Sequence, residues 1–166
     1  LMKLANSLKI PVVPRGAGTG LCGGAVPLQG GMVIDLTRMN KIKEIRVEDL
    51  YCVCEAGVVY DHLQKALGPY KFTFPPTPGS VEACTIGGMV STNASGMRAI
   101  KYGGTRDYVL GLEVVLPSGE IMQLGTRTLK NASGDQLDRL FVGAEGTLGI
   151  ITQVTLKIVP KPKKMA

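Results

Sequence analysis

A glycine-rich stretch from Pro11 to Gly31 contains the residues whose types and spacing point most clearly to chemistry. It reads PVVPRGAGTGLCGGAVPLQGG. Packing does not explain so many glycines, because glycine has no side chain to bury and carries a high entropic cost on folding. A turn rich in exposed backbone N–H groups, with Arg15 at its mouth, suits an anion such as a pyrophosphate. The alternative is a flexible surface loop, against which two later glycine clusters of similar character argue.

Residues 18–23 match the G-x-G-x-x-G pattern of dinucleotide-binding Rossmann folds. That fold requires a helix to begin at the motif, with the pyrophosphate at the helix N-terminus. Here Pro27 and the pair Gly30-Gly31 follow, and no helix can run through them. A Walker A loop is excluded too, because no Gly-Lys-Ser/Thr follows. We therefore predict an anion site built from loop backbone rather than from a helix dipole.

Composition narrows the classes of function. The chain has 166 residues, of which 45% are hydrophobic, so a globular protein is expected. Trp is absent and aromatic residues make up only 5%, which argues against stacking platforms for single-stranded nucleic acid. The net charge is +6, but several lysines lie in the last ten residues, which favours a solvated tail. We expect no nucleic-acid partner.

The cysteines carry no metal-site pattern. Cys52 and Cys54 lie in a strand-like run on the same side, and Cys22 and Cys84 stand apart. No C-x-x-C or His-containing cluster accompanies them, so we expect no metal site. Buried free thiols in a reducing compartment are the simplest interpretation, which predicts the cytoplasm. No apolar run approaches the length of a transmembrane segment, and association with a membrane through partner subunits stays open.

Periodic patterns predict the elements that must position the glycine-rich segments. Alternation predicts many short strands, and only a few stretches show helical spacing. The prolines in Tyr70 to Ser80 predict an irregular segment. Together these patterns indicate an α+β domain. We predict strands at 10–13, 31–36, 42–47, 51–56, 112–116, 120–124 and 149–159, and helices at 1–8, 59–67, 85–93 and 137–141.

Six ordered motifs carry a resemblance to a known family. They are PRGAGTGLCGG (14–24), PPTPGS (75–80), TIGGMVSTNASG (85–96), KYGGTRDYVLG (101–111), LPSGE (116–120) and EGTLGIIT (145–152). In their order and spacing the chain resembles the FAD-linked oxidases typified by the glycolate oxidase FAD subunit and D-lactate dehydrogenases. The resemblance implies the PCMH-type, or vanillyl-alcohol-oxidase-type, FAD-binding fold, in which two small α+β subdomains hold FAD between them.

The resemblance also implies domain limits. Residues 1–159 would form the FAD-binding domain, and 160–166 would begin a linker to a substrate domain that is absent here. The first residues lie inside a helix-like pattern, which is typical of a truncated edge.

The same resemblance implies which residues bind the cofactor. One group would wrap the pyrophosphate, a second would line the flavin and ribityl region, and a third would bring backbone groups to the adenine end. The first group is Pro14, Arg15, Gly16, Ala17, Gly18, Thr19 and Gly20; the second is Pro78, Gly79, Ser80, Cys84, Thr85, Gly87, Gly88, Thr92, Asn93, Ala94 and Ser95; the third is Glu145, Gly146, Gly149, Ile150 and Ile151.

Several of these residues have a structural alternative. Thr92, Asn93 and Ser95 are also typical helix-capping residues. Glu145 is equally consistent with a surface carboxylate, and Cys84 with a packed thiol. Arg106 and Asp107 are residues that commonly tether a loop, and His62 fits the surface of a helix.

The implied activity is the oxidation of a 2-hydroxy acid, of the glycolate or D-lactate type, by hydride transfer to FAD. No residue of this chain is assigned as catalytic, because the substrate pocket would come from the absent domain. The glycine loop contains no His for a covalent link, so we expect non-covalent FAD. An electron acceptor or iron–sulfur partner subunit is compatible with the family. The alternatives are a flavin domain of the same fold with other chemistry, such as a reductase or an electron-transfer subunit, and a basic nucleic-acid-binding module.

Overall fold

The computed structural model describes residues 1–163, and within them short strands outnumber helices, as the alternating patterns predict. The helices are α1 (Met2–Ser7), α2 (Tyr60–Leu67), α3 (Ile86–Ser91), α4 (Ala99–Tyr102) and α5 (Asp138–Phe141). The strands are β1 (Val12–Arg15), β2 (Met32–Asp35), β3 (Ile42–Arg46), β4 (Tyr51–Glu55), β5 (Phe72–Thr73), β6 (Val109–Val115), β7 (Ile121–Gly125), β8 (Ile150–Lys157) and β9 (Val159–Pro160).

The larger lobe is built on an antiparallel sheet in the order β3-β4-β8-β6-β7. Its inner strands β4 and β8 are buried on both faces: Cys52 and Cys54 of β4 pair with Leu156 and Val154 of β8, and all four side chains are fully buried. Helices α2 and α3 add buried residues to the same core. The expected α+β architecture is therefore confirmed.

The smaller lobe contains a parallel pair, β1 and β2, in which Val12 lies opposite Met32 and Arg15 opposite Asp35. Gly31 has a φ of 98°, and a Cβ there would overlap the Pro11 carbonyl oxygen, so glycine is required at the entry to β2. The loop between these strands, residues 16–31, contains no helix. The exclusion of a Rossmann motif is therefore confirmed.

The segment from Tyr70 to Ser80 is not irregular throughout, so that prediction is wrong for its first half. Gly68–Tyr70 forms a 3-10 turn, and β5 pairs with β9 in a two-stranded antiparallel sheet. Strand β9 includes Pro160, which is tolerated because this pair is an edge without a third strand. The long C-terminal strand predicted at 149–159 is consequently divided into β8 and β9. The last residues of the predicted linker, 164–166, lie outside the described part of the chain.

Candidate functional site

A cleft of about 410 Å³ lies between the two lobes, which is the size of a small-molecule or cofactor site. Three segments that are distant in the sequence form its walls. They are the loop after β1, the stretch from Pro78 through α3 to Ser95, and the turn from Glu145 into β8.

The loop after β1 lines the cleft and contains backbone donors that are unpaired within the described residues. No amide from Ala17 to Ala25 donates a hydrogen bond to any acceptor in residues 1–163. Gly18 and Gly23 have φ angles of 70° and 75°, which turns the chain sharply and which glycine adopts without strain. Such a run of free N–H groups is the kind of backbone arrangement from which anion-binding nests are built.

The charge beside this loop is already balanced. Arg15 Nη2 donates to Asp35 Oδ2 at 2.8 Å, across the β1–β2 pair. This bond, together with those from Thr37, holds the pKa of Asp35 well below its usual range. This bond uses one of the five N–H donors of the Arg15 guanidinium, so the other four and the loop amides are available to an anion.

The second wall is built on the N-terminus of α3. Thr85 is the N-cap, and its hydroxyl accepts a hydrogen bond from the Gly88 amide at 3.3 Å. A Cβ at Gly16 would overlap the same hydroxyl, so the glycine loop and this helix meet where glycine leaves room. The hydroxyls of Ser91 and Ser95, like that of Thr19 in the first wall, have no partner in the described part of the chain and line the cleft.

The third wall closes over the first. Gly146 has a φ of 82°, and a Cβ there would lie 2.6 Å from Pro14 Cγ. Glu145 also has a positive φ, of 51°, and its amide donates to the Ser91 carbonyl at 2.9 Å. Its carboxylate is exposed and lies 3.7 Å from the position of a Gly24 Cβ. The turn therefore joins all three walls at one edge of the cleft.

The structure brings most of the predicted site residues together at this cleft. Gly79, Asn93 and Ile150 are the ones that do not line it. Gly87 does line it, although its tightest contacts are with Ala56 of the core rather than with open space. The lining residues that sequence reasoning missed are Leu21, Cys22, Gly24, Ala25, Leu36, Ala56, Met89 and Ser91. Leu21, Cys22 and Gly24 lie within the motif at 14–24, and Met89 and Ser91 within the motif at 85–96. Leu36 and Ala56 lie outside the six motifs, so no sequence pattern marks them as site residues.

Asn93, Arg106 and Asp107 tether loops. The Asn93 side-chain oxygen accepts the Arg106 amide at 3.0 Å, and the Arg106 guanidinium donates to the Val142 carbonyl at 3.0 Å. Asp107 accepts the Gly104 amide at 2.8 Å and so caps a 3-10 turn. These contacts match the structural alternative for Arg106 and Asp107. His62 is exposed on α2 and does not line the cleft.

The thiols divide into two classes. Cys52, Cys54 and Cys84 are buried, and burial raises the pKa of each thiol, that of Cys52 to about 12. Cys84 lines the cleft, but its raised pKa keeps it protonated and a poor nucleophile at neutral pH. Cys22 is exposed on the glycine loop, so the expectation of buried thiols is wrong at this position.

We predict that one thiol of the folded protein reacts rapidly with a thiol-specific reagent and that all four react after unfolding. The fast thiol is expected to be Cys22, and a ligand filling the cleft should slow its reaction because Cys22 lines the cleft. Quantifying modified thiols with and without denaturant tests this. Cys22→Ser is the control, and a fast reaction that persists in that variant would contradict the assignment.

Two further functional features are absent from the described residues. Residues 1–163 contain no group of three or more His, Cys, Asp or Glu side chains arranged for a metal ion. None of the helices in the described chain is long and apolar enough to cross a membrane.

Comparison with protein families gives one match that covers most of the chain. Residues 1–125 match the family described as FAD binding domain. The chain is 50% identical over 165 residues to the D-lactate dehydrogenase of Anaerostipes hadrus, covering 99% of this chain and 34% of that protein. It is 45% identical over 163 residues to the glycolate oxidase subunit GlcD of Bacillus subtilis (strain 168), covering 98% of this chain and 35% of that protein.

The fold also matches a solved structure. Alkyldihydroxyacetonephosphate synthase superposes with a TM-score of 0.86 at 29% sequence identity, over 99% of this chain and 32% of that one. The chain thus spans about a third of the length of the relatives it matches.

Proposed function

Because this chain belongs to the FAD binding domain family, we propose that it is the FAD-binding part of an enzyme that oxidises a 2-hydroxy acid of the glycolate or D-lactate type. The observation that carries the proposal is the run of unpaired amides in a glycine-rich loop that lines the cleft. A dinucleotide pyrophosphate needs many donors and close approach of the backbone, and this loop offers both. The names of the relatives support the substrate class.

The residues present fit FAD. The amides after Gly16 would hold the pyrophosphate, with Gly18 and Gly20 allowing close approach. The hydroxyls of Thr19, Ser91 and Ser95 would bond to the ribityl and ribose oxygens. The turn after Glu145 would receive the adenine end. We also propose that FAD is held without a covalent bond, because the cleft-lining glycine loop contains no His.

When bound, FAD supplies the acceptor for the α-hydrogen of the substrate, which leaves as hydride. The residues of this chain bind and orient the cofactor and exclude water from one of its sides. Within residues 1–163 we assign no base that removes the hydroxyl proton. Two charged side chains line the cleft: Arg15 is paired with Asp35, and Glu145 lies where we place the adenine end.

Flavin chemistry of another kind is the second candidate. It is favoured by the close structural match to a protein named a synthase. We further propose that the protein works in a multi-subunit complex with an electron acceptor or iron–sulfur subunit as its partner, which the word "subunit" in the name of one relative supports. We propose a cytoplasmic location for the protein.

Reconstitution with FAD tests the proposal. We expect the purified chain to bind FAD in about a one-to-one ratio, to be yellow, and to release the flavin into the supernatant on acid precipitation. Binding is measured by the change in flavin fluorescence on titration, with FMN as the control because it lacks the pyrophosphate and adenine. A colourless protein that does not bind FAD would refute the flavin function, and flavin that stays in the pellet would refute non-covalent binding.

A further inference from the structure

The carbonyl oxygen of Phe74 accepts hydrogen bonds from two side chains of α2. Tyr60 Oη donates to it at 3.2 Å, and Gln64 Nε2 donates to it as well. The other end of the Gln64 amide is fixed, because Thr73 Oγ1 donates to Gln64 Oε1 at 2.9 Å. Phe74 is fully buried and Tyr60 is 6% exposed, so the bond between them forms away from water, whereas the two bonds of Gln64 are partly buried. Packing of the core does not explain why Tyr60 and Gln64 stand here, since apolar side chains would fill the same space without these hydrogen bonds.

The segment after Phe74 explains why side chains are needed there. Pro75, Pro76 and Pro78 have no backbone N–H, so this stretch cannot be held by a ladder of backbone hydrogen bonds. The Thr77 hydroxyl instead donates to the Pro75 carbonyl at 2.7 Å and lies 3.2 Å from Tyr60 Oη. Tyr60 and Gln64 thus take over the role that a neighbouring strand would have.

This network ends at the cleft. Pro78 and Ser80, the residues just beyond Thr77, line the second wall. A Cβ at Gly96 would overlap the Thr77 carbonyl oxygen, so Thr77 also determines where the chain lies directly after Ser95. Tyr60 and Gln64 do not themselves line the cleft. A shift of the Phe74 carbonyl would therefore be transmitted to two parts of the same wall.

We propose that Tyr60 and Gln64 are positioning residues that set the environment of the flavin ring through the segment from Phe74 to Ser80. This inference rests on the proposed function, in which that segment lines the flavin. Without the two donors, the proline-rich segment samples several positions in the free protein, and FAD binding must order it.

The test compares FAD-loaded variants. Tyr60→Phe and Gln64→Met remove the donors and keep the apolar bulk. We expect each to raise the dissociation constant of FAD about tenfold, as the loss of one hydrogen bond would. We also expect the visible absorption band of the bound flavin to change shape at saturating FAD, because its surroundings change. Gln123→Met is the matched control: it removes the bond from Gln123 Nε2 to Glu113 Oε2, 2.7 Å long and outside the cleft.

Thr77 provides a second route should either α2 variant fail to fold. Thr77→Val is expected to change the flavin spectrum, and Thr77→Ser, which keeps the hydroxyl, to restore it. Saturated spectra of Tyr60→Phe, Gln64→Met and Thr77→Val that superimpose on the parent's would overturn the inference, as would an equal change in Gln123→Met. Failure of the unaltered protein to bind FAD would instead refute the proposed function, and this inference with it.

Discussion

Gly18→Val is expected to abolish retention of FAD, with an affinity loss of at least about a hundredfold, or about 2.8 kcal/mol. Two effects combine. Gly18 has a φ of 70°, a conformation in which a β-branched residue is strained by about 1–3 kcal/mol. Its nearest neighbour in the protein is Arg15 Cδ, 3.7 Å from a Cβ, so the new side chain would fill the cleft rather than the core. Fluorescence titration with FAD measures the loss.

Two glycines of the same loop separate strain from obstruction. Gly23 has a similar φ of 75° and open space around a Cβ, but it does not line the cleft. Gly20 lines the cleft, has open space and lacks a positive φ. We expect Gly23→Val to keep FAD and Gly20→Val to lose most of it. If Gly18→Val binds FAD like the parent, the pyrophosphate does not lie at this loop. If Gly23→Val also loses FAD, then strain in the loop, rather than obstruction of the cleft, causes the loss of binding.

Gly87→Ala is expected to lower the free energy of unfolding by about 1–3 kcal/mol, the usual cost of overpacking a core. A Cβ at Gly87 would lie 2.5 Å from Ala56 Cβ and 2.9 Å from the Ala56 carbonyl oxygen. That carbonyl already accepts the Gly87 amide at 2.7 Å, so α3 cannot move away without losing the bond. Urea denaturation of the protein without FAD measures the change.

The neighbouring Gly88 gives the matched comparison. A Cβ there would meet Thr85 Oγ1 at 3.1 Å, which a shift of a few tenths of an ångström relieves. The gain in helix propensity from Gly to Ala, about 1 kcal/mol, offsets the free-energy cost of that shift. Gly88→Ala should therefore unfold near the parent's urea midpoint while binding FAD more weakly, because Gly88 lines the cleft. Equal urea midpoints for Gly87→Ala and the parent would show that α3 does not pack tightly against Ala56 at Gly87.

Local patterns were sufficient for much of the fold. The strands predicted at 149–159, 112–116 and 120–124 match β8, β6 and β7 to within a few residues. Strand β5 could not be predicted, because its partner β9 lies far along the chain and pairing, not propensity, makes Phe72–Thr73 extended. Helix α4 was missed for a similar reason, since its four residues carry no helical period long enough to detect.

The sequence by itself determined an α+β architecture, and the order of its motifs carried the resemblance that implied a PCMH-type fold and FAD, because motif order is a property of the chain alone. It also excluded a Rossmann helix, since Pro27 and Gly30-Gly31 act locally. Only the tertiary structure decided why particular glycines are needed: Gly16 faces Thr85, Gly87 faces Ala56 and Gly146 faces Pro14. It likewise showed that Arg15 is paired with Asp35 and that Asn93 turns away from the cleft to a loop amide. Each of these contacts joins residues distant in the chain, and periodicity and spacing carry no information about which distant segments meet.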